Sequence, residues 1–477
     1  MAGYDDLLEQ LAQYDATGFL PMHMPGHKRT ALGGEELPWQ LDITEIDGFD
    51  NLHEAEGILK DGMELAARLY GSARAFYLVN GSSGGILAAI AAAAPFGSRI
   101  LMARGCHKSV YHAVELLHLE PLYLTPPVDP SFAVSASLPP EAVESALAQH
   151  PDVRLVVLTS PTYEGVISDI AAIAAVCHRR GIPLLVDEAH GAHLYFHPAF
   201  SSGAVTAGAD LVIQSVHKTL PSLTQTALAH VQGDLVDPQR LAHFLAVFQT
   251  SSPSYLLMGS IHRCLKLLEH RGPALFADYA RNLQHLDRRL EALHHLRVLC
   301  HGADHCSRHP DFFAFDPGKL FVSTHGTDLT GPQLAALLRQ RGIEPEMAAP
   351  QGVLAMTSCC DTAETLERFA AVLLELDGLC HNISVPCIRP TPPLPPVRYT
   401  IAQARQLPTV PLPMAEAIGR TMAESLWMYP PGIPLVVPGE VLTADIVQAL
   451  HDIADSGVQL YSDSGLAPHR VLAAATG

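Results

Sequence analysis

Two short apolar runs that end in reactive side chains constrain this chain more than any other feature. The run Leu211-Val-Ile213 has the pattern of a buried strand and leads to Lys218. The run Ile182-Pro-Leu-Leu-Val186 has the same pattern and ends at Asp187. Burying an unpaired ammonium is costly, so a lysine at the mouth of a buried strand suggests a chemical role. A plain surface lysine is the alternative, and this stretch alone does not decide between them.

The spacing of Asp187 and Lys218 leaves room for one α/β unit between them. Both strand ends are then expected at the carboxyl edge of one parallel sheet, where open α/β folds bind their ligands. A lysine amine forms a Schiff base with a carbonyl, and an aspartate pairs with a pyridinium nitrogen. These are the two groups needed to hold pyridoxal phosphate (PLP), and the pair therefore predicts a PLP site.

The chain resembles the ornithine/lysine/arginine decarboxylase family of PLP enzymes in motifs that follow one another in the family's order. The motifs are His23-Met-Pro-Gly-His-Lys28, Asn80-Gly-Ser-Ser-Gly84, Cys106-His-Lys-Ser109, Asp187-Glu-Ala-His-Gly191, Ser215-Val-His-Lys218 and Tyr429-Pro-Pro-Gly-Ile-Pro434 with Pro438-Gly-Glu440. Together they are far more specific than any one motif. The resemblance implies an α/β fold of the aspartate-aminotransferase type (fold type I). Its PLP-binding large domain would have a mainly parallel sheet, followed by a small α/β domain and a C-terminal α+β domain.

The length of 477 residues is too great for one core and suggests two or three domains. We expect an N-terminal segment over 1–56, the PLP-binding large domain over 57–300, a small α/β domain over 301–385 and a C-terminal decarboxylase domain over 386–477. A proline-rich stretch from Pro386 to Pro413 marks the last boundary. Because the first motif comes so early, the chain resembles the short form of the family, which lacks an extra N-terminal domain.

Hydrophobic patterns give the expected secondary structure around these motifs. They predict helices within residues 1–20, 59–70, 85–94 and 257–300, and strands at 75–79, 99–102, 122–124 and 154–158. The stretch Asn80-Gly-Ser-Ser-Gly84 is expected to be a turn that presents N–H groups and hydroxyls to a phosphate at a helix start. Ser82 and Ser83 are the expected phosphate ligands, with an ordinary Gly/Ser turn and a serine N-cap as the alternative.

The resemblance assigns further roles at the strand ends. Lys218 would hold PLP covalently, and Asp187 would keep its ring nitrogen protonated. His107 would stack on the ring, although a lone histidine is more often a hydrogen-bonded structural residue. Either His217 or Lys218 would return a proton to the substrate carbon, and the sequence does not choose between them. The expected catalytic and cofactor-binding residues are Gly81, Ser82, Ser83, His107, Thr162, Asp187, Ala189, His190, Ser215, His217 and Lys218.

Two further roles are implied outside this set. Glu440 would lie near the distal end of the substrate, where a carboxylate can pair with a guanidinium or an ammonium. A surface acid that starts a helix is the alternative for Glu440. Ser251 or Ser252 would reach the phosphate bound by the partner subunit, and we do not choose between them. The site would therefore be shared in a homodimer or a higher homo-oligomer.

Two histidine-rich stretches raise the question of a metal, and we expect none. His190, His193 and His197 have helical spacing, but Gly191 and the preceding strand break such a helix. The stretch from Cys300 to His309 lacks paired-cysteine spacing and is expected to be a solvated loop.

Composition limits the class of partner and the location. The net charge of −19 argues against a nucleic-acid surface and against an anionic membrane face. The start of the chain has no signal-peptide pattern, and the apolar run Gly85–Pro95 is too short to span a bilayer. The nine scattered cysteines suggest reduced thiols in the cytoplasm rather than a disulfide framework.

The implied reaction is the PLP-dependent decarboxylation of a basic amino acid to its amine and carbon dioxide. Arginine is favoured weakly over lysine and ornithine, and the amine product would enter polyamine biosynthesis. An aminotransferase or a lyase on the same fold is the alternative. An aminotransferase needs an arginine that clamps the α-carboxylate, and Arg104 is the one arginine in the motif stretches that could serve.

Overall fold

The computed structural model describes residues 5–18, 25, 37–383, 394–428 and 432–475. These residues form two compact units, and each unit is built from separate stretches of the chain. The first unit takes the described residues of Met1–Ala94, Leu155–Ser160 and Ile170–Asp278, and the second takes those of Pro95–Arg154, Pro161–Asp169 and Tyr279–Gly477. The four sequence domains stay a prediction. In the described ranges, no helix is long and apolar enough to cross a membrane.

The first unit alternates strands with helices. Its strands are Arg74–Leu78, Val153–Thr159 (nearly all of it), Leu184–Asp187, Leu211–Ser215 and Ala227–Val231. Its α-helices are Leu7–Ala16, Ile58–Tyr70, Gly81–Ala93, Ile170–His178, Val216–Thr219, Pro238–Phe248 and the greater part of Tyr255–Leu290, and its 3-10 turns are Trp39–Leu41 and Leu52–Glu54.

The five strands of the first unit lie side by side in the order 74–78, 227–231, 211–215, 184–187 and 153–159. The last three run parallel, with Asp187 level with Ile213 on one side and with Thr159 on the other. The strand Ala227–Val231 runs antiparallel to both of its neighbours. The strands 184–187 and 211–215 are buried along their whole length, which explains the apolar residues Leu184–Val186 and Leu211–Ile213. Asp187 and Ser215 therefore end neighbouring parallel strands, as the sequence predicted.

The helix Gly81–Ala93 packs directly on this sheet because it begins with small residues. A Cβ atom built on Gly85 would lie 2.5 Å from Leu78 Cδ1 and 3.1 Å from Ile213 Cγ2, so glycine is required for the close approach. The stretch 80–84, expected to be a turn, is instead the first turn of this helix, with Asn80 as its N-cap. Gly81 takes a positive φ of 70°, which a residue with a side chain adopts at a cost.

The second unit contains several small sheets. Its strands are Arg99–Ala103, Glu120–Leu124, Val128–Asp129, Val134–Ser135, Val166–Ile167, Arg297–Val298, Ala314–Phe315, Lys319–Ser323, Met347–Ala349, Gly352–Met356, Thr409–Pro413, Leu426–Met428, Pro434–Val436, Leu460–Ser462 and Arg470–Ala474. Its α-helices are Lys108–Leu116, Pro140–Gln149, Gly331–Gln340, Ala363–Asp377, Ile401–Ala404 and Ala444–Asp455, with 3-10 turns at Cys306–Arg308 and Met414–Ala417.

Pairing in the second unit joins strands that are far apart in sequence. Arg99–Ala103 and Glu120–Leu124 are parallel neighbours. The strands 297–298, 319–323, 352–356 and 347–349 form a four-stranded antiparallel sheet in that order. Near the carboxyl end, 426–428 lies between 434–436 and 460–462, and 409–413 pairs with 470–474.

The stretch from Cys300 to His309 is only partly the solvated loop expected from the sequence, because residues 305–308 are exposed whereas His301, Asp304 and His309 are buried. His309 is 4% exposed and lies between two carboxylates, with Nδ1 2.7 Å from Asp129 Oδ2 and Nε2 2.9 Å from Asp304 Oδ2. Burial works against the charged imidazolium, but the hydrogen bonds to both carboxylates outweigh it and raise the pKa of His309. Cys300 and Cys306 are joined by a disulfide, so the expectation of reduced thiols is wrong for this pair.

Other expected elements are confirmed with shifted ends. Helices at Leu7–Ala16 and Ile58–Tyr70 agree with the predicted positions, and the helix that begins at Tyr255 ends at Leu290 rather than near residue 300. The carboxylate of Asp50 accepts hydrogen bonds from the amides of Gly57 and Leu59 and so caps the start of the helix Ile58–Tyr70. Because this cap comes from a distant residue, local sequence signals did not reveal it.

Candidate active site

Lys218 lies where the sequence placed it, just beyond a buried strand. It belongs to the short helix Val216–Thr219, which follows Leu211–Ser215 without a loop. Its Nζ atom is 3.0 Å from Nε2 of His190, a half-buried contact between a strong donor and an aromatic nitrogen. A lysine held at such a place is suited to react with a carbonyl, because its amine is directed by a neighbour rather than free in water.

Asp187 provides the buried charge beside this lysine. It is 4% exposed, and its Oδ1 accepts a hydrogen bond from the amide of Ala189 at 3.2 Å. Burial raises the pKa of Asp187, while the positive charge of Lys218 and the Ala189 amide act in the opposite direction. A second positive charge placed against this carboxylate would stabilise its ionised form further. The Asp187 carboxylate is therefore suited to pair with a cation such as a protonated ring nitrogen.

The start of the helix Gly81–Ala93 offers a place for a phosphate. Among the described residues no side chain caps this helix start, so no side-chain oxygen satisfies its first amides. The Gly81 amide is held by the carbonyl of Gln225 at 3.0 Å, which joins this turn to the loop that follows Lys218. Ser82 is half-buried and Ser83 is exposed, so both hydroxyls lie at the open end of the helix. Helix N-termini with free amides bind anions.

Two hydroxyls beside Lys218 are buried without partners among the described residues. They are Ser215 Oγ and Thr219 Oγ1, and both residues are at most 2% exposed. A buried hydroxyl without a hydrogen bond is costly, so an absent ligand oxygen is a natural partner for it. With the lysine, the buried carboxylate and the uncapped helix start, the residues of the first unit fit PLP.

His217 is held in one protonation state. Its Nδ1 atom is 2.8 Å from the carbonyl oxygen of Thr226, which can only accept, so Nδ1 carries the hydrogen. Burial lowers the pKa of His217, the Thr226 carbonyl opposes this, and Lys218 adds to the lowering. His217 is therefore neutral near pH 7, and its Nε2 is an acceptor.

His107 and Thr162 belong to the second unit, and both have local hydrogen bonds. His107 is the N-cap of the helix Lys108–Leu116, where its Nδ1 accepts from the Ser109 amide at 3.2 Å. Thr162 Oγ1 accepts from the Val166 amide at 3.1 Å. The structure thus gives His107 a capping function that the sequence did not predict, and its stacking role stays a prediction.

Glu440 is neither a surface acid nor an exposed carboxylate. It is 1% exposed, and its Oε2 accepts from Arg104 Nη2 at 3.0 Å and from the Val437 amide at 2.8 Å. Burial raises the pKa of Glu440, and the Arg104 charge opposes that rise. Arg104 is further held by the Leu435 carbonyl at 3.0 Å and lies 4.8 Å above the ring of Tyr123. Its charge is thus matched within the second unit.

This ion pair allows the structural and substrate-binding roles of Glu440 to be separated. Glu440→Gln would leave the Arg104 guanidinium buried without its counter-charge, and we expect the free energy of unfolding to fall by about 3 to 5 kcal/mol in urea denaturation. The double variant R104M/E440Q removes both charges and is expected to recover most of that loss. A fully stable Glu440→Gln protein that loses activity toward one basic amino acid alone would instead support the role expected from the resemblance.

Several expected residues are not tested by these contacts. Except for Pro25, the motif His23–Lys28 lies outside the described residues, as does Tyr429–Pro431. Ser251 and Ser252 are both exposed, and nothing separates them. Within the described ranges, no group of three or more histidine, cysteine, aspartate or glutamate side chains could hold a metal ion. His193 is buried with its ring edge-on to Phe200.

One feature of the site escaped the sequence reasoning altogether. Glu188, next to Asp187, is 1% exposed and accepts three hydrogen bonds, from the Tyr195 hydroxyl, the Gln214 amide and the Ala204 backbone. The only signal available in the sequence was a second acid at the end of a buried strand, where an unpaired charge is costly.

The fold and the strand-end site define an α/β enzyme of fold type I, the class that uses PLP. The lysine decarboxylase of Francisella novicida superimposes with a TM-score of 0.82 at 20% identity, over 99% of this chain and 82% of that chain. The constitutive lysine decarboxylase of E. coli gives a TM-score of 0.81 at 20% identity, over 98% and 81%. The L-threonine transaldolase of Pseudomonas fluorescens shares the fold more loosely, with a TM-score of 0.55 at 17% identity, over 79% and 82%.

Sequence comparison narrows the class to one family. Residues 7–365 match the family described as Orn/Lys/Arg decarboxylase, major domain, and residues 399–457 match its C-terminal domain. The arginine decarboxylase of Halalkalibacterium halodurans is 33% identical over 437 residues, covering 88% of this chain and 87% of that protein. The arginine decarboxylase of Bacillus subtilis is 31% identical over 468 residues, covering 94% of each. The chain belongs to the Orn/Lys/Arg decarboxylase family and is an amino acid decarboxylase, which confirms the resemblance.

Proposed function

We propose that this enzyme decarboxylates arginine to agmatine and carbon dioxide with PLP as its cofactor. The observation that carries the proposal is the strand-end cluster of the first unit. There Lys218 Nζ lies 3.0 Å from His190 Nε2, and the positive charge of Lys218 interacts with the buried Asp187 carboxylate. The choice of arginine is supported by identities of 31% and 33% to arginine decarboxylases, against 23% to the constitutive lysine decarboxylase of E. coli.

Each residue of the cluster has a definite task in this proposal. PLP supplies the electron-accepting ring that stabilises the negative charge left when carbon dioxide departs. Lys218 holds the cofactor covalently, and His190 directs its amine. Asp187 holds a proton on the ring nitrogen by charge pairing. The amides at the start of Gly81–Ala93, with Ser82 and Ser83, bind the phosphate.

The geometry favours Lys218 over His217 as the group that protonates the substrate carbon. The neutral His217 ring has one N–H group near pH 7, and this group donates to the Thr226 carbonyl. His217 therefore has no proton to give without losing that bond. The free amine of Lys218, in its protonated form, would carry protons that it could donate.

The contacts of Arg104 argue against the aminotransferase alternative, in which Arg104 was the candidate to bind the α-carboxylate. That reaction needs an arginine to hold the α-carboxylate, and Arg104 already pairs with Glu440 and the Leu435 carbonyl. A decarboxylase has no use for a firm clamp, because the carboxylate must leave.

We further propose that the enzyme is a homodimer with a shared site. The roles of His107, Thr162, Ala189 and Ser251 or Ser252, and a cytoplasmic location, stay predictions.

Product analysis tests the proposed function. Purified protein with PLP is incubated separately with arginine, lysine and ornithine, and agmatine, cadaverine or putrescine is measured with the carbon dioxide released. We expect agmatine from arginine at a rate at least about tenfold above the other two amines, since a pocket that fits one substrate loses a few kcal/mol with a shorter one. Cadaverine or putrescine as the main product would overturn the choice of arginine. A keto acid in the presence of an acceptor would overturn decarboxylation.

A further inference from the structure

A chain of hydrogen-bonded side chains, buried except for the half-buried Ser72, runs across the strands of the first unit. Glu188 follows the strand Leu184–Asp187, and its Oε2 accepts from Gln214 Nε2 at 2.7 Å on the neighbouring strand. Gln214 Oε1 is 3.0 Å from His230 Nε2 on the next strand, and His230 Nδ1 is 2.9 Å from Ser72 Oγ. All four groups are within the first unit, and the reaction as proposed above uses none of them.

The hydrogen bonds in this chain have one direction when Glu188 is ionised. Burial lowers the pKa of His230 to about 3, so its ring is neutral. If Gln214 donates to Glu188 through its nitrogen, its oxygen must accept from His230 Nε2–H, and His230 Nδ1 then accepts from Ser72. At the end of this chain Glu188 is thus an acceptor, and Gln214 is its donor.

The other contacts of Glu188 have the same polarity. The Tyr195 hydroxyl donates to Oε2 at 2.6 Å, and its oxygen in turn accepts from the Val205 amide at 3.0 Å. The Ala204 amide donates to Oε1 at 2.6 Å. A carboxylate that only accepts is satisfied as an anion. The hydrogen bonds therefore support a negative charge directly beside Asp187.

Several titratable groups surround Glu188, and the pKa of Glu188 itself lies near neutral pH. Burial raises the pKa of Glu188 to about 7, opposed by its hydrogen bonds and assisted by Asp187. Tyr195 and Tyr70 have pKa values raised well above 10 by burial, and His230 stays neutral. Asp187 faces Lys218 and, in the proposed function, the cofactor ring nitrogen.

We propose that Glu188 is a positioning residue with two effects. It connects the strand that ends in Asp187 to the strand that leads to Lys218 by hydrogen bonds. Its negative charge stabilises the proton that Asp187 shares with the ring nitrogen. The first effect follows from the Gln214 bond and from the Glu188 amide, which donates to the Ile213 carbonyl at 2.9 Å. The second follows because an added negative charge raises the proton affinity of the neighbouring pair. The inference rests on the proposed function, since it needs PLP at this site.

The variant Glu188→Gln tests the charge while keeping the shape of the side chain. We expect the alkaline limb of the pH dependence of kcat, and of the visible absorbance of bound PLP, to move to lower pH by about one unit, the scale of one charge at this range in a protein interior. The KM for the substrate is expected to stay within about twofold, because Glu188 does not touch the substrate.

The matched control is Asp210→Asn, which removes another buried carboxylate from the same two strands. Asp210 Oδ2 accepts from the Leu184 amide at 2.8 Å, at the opposite ends of those strands. We expect Asp210→Asn to lower the melting temperature while leaving both pH limbs at their wild-type positions. An equal pH shift in both variants, or a Glu188→Gln protein that only melts earlier, would reduce Glu188 to a structural residue and overturn the proposal.

The apoprotein gives a reading that does not depend on turnover. A carboxyl whose pKa is raised by folding contributes stability that is complete below about pH 4.5 and is lost as the pH rises through about 7. The melting temperature of the wild type is therefore expected to fall more between pH 5 and pH 8 than that of Glu188→Gln, and equal falls would contradict the charge assignment. Wild-type protein that binds PLP without forming an amine would overturn the proposed reaction alone, whereas protein that never binds PLP would overturn both.

Discussion

Lys218→Ala is expected to abolish decarboxylation and the visible absorbance of covalently held PLP together. The amine is the group that would bond to the cofactor, and neither His190 nor His217 can form a stable imine in its place. We expect kcat to fall by about 10⁴-fold or more, the scale seen when a covalent catalytic group is removed. The measurement is agmatine formation at saturating arginine, with an absorbance spectrum of the same sample.

Lys266→Ala is the matched control for this variant. Lys266 is a lysine of the same unit on the helix Tyr255–Leu290, and it forms an i,i+3 contact with Glu269 at 3.4 Å. Its loss is expected to change neither rate nor spectrum. If Lys218→Ala keeps both turnover and absorbance, the assignment of the whole strand-end site is wrong.

Asp187→Asn is expected to weaken the binding of PLP and to lower kcat in the same variant. The amide keeps the shape but cannot balance a positive charge on the ring nitrogen, so the ring loses its proton and becomes a poor electron acceptor. We expect kcat to fall by about a hundredfold or more, the scale of losing one preorganised electrostatic contact. Titration of the apoprotein with PLP measures the affinity, and initial rates at saturating PLP measure kcat.

The same Asp210→Asn variant distinguishes charge pairing from loss of stability. Both aspartates are buried and both lie at ends of the central strands, but Asp187 interacts with the charge of Lys218, whereas Asp210 accepts a hydrogen bond from the Leu184 amide. An Asp187→Asn enzyme with an unchanged rate at saturating PLP would show that a different acid serves the ring nitrogen.

The parts of the fold that sequence could predict are those coded by local patterns. The apolar runs before Asp187 and Lys218 became neighbouring parallel strands, because strands buried on both faces need uninterrupted apolar residues. The stretch 80–84 follows a strand and opens a helix as predicted, but it is the first turn of that helix and not a separate turn. Glycine and serine at 81–84 have low helix propensity, yet tertiary packing of Gly85 on Leu78 and Ile213 makes them the first helical turn.

The parts that sequence could not predict depend on partners far away along the chain. The burial of Glu440 and its ion pair with Arg104 could not be predicted, because Arg104 precedes Glu440 by more than half of the chain and no local pattern joins the two. His309 looked solvated because polar residues surround it in sequence, although Asp129 and Asp304 enclose it in the fold. Glu188 went unnoticed for the same reason, since Tyr195 and Gln214 are chemically ordinary residues until the strands bring them together.

The interleaving of the two units along the chain has a consequence for how the protein is made. Residues 95–154 belong with residues beyond 278, while most of the chain between them builds the first unit. A ribosome that adds about 5 to 20 residues per second needs on the order of 6 to 25 s to pass over that intervening stretch. During that interval the strands Arg99–Ala103 and Glu120–Leu124 have left the ribosome without most of their own unit. Nascent chains that stall after residue 154 are thus expected to depend on chaperones, since most of the second unit has not yet been synthesised.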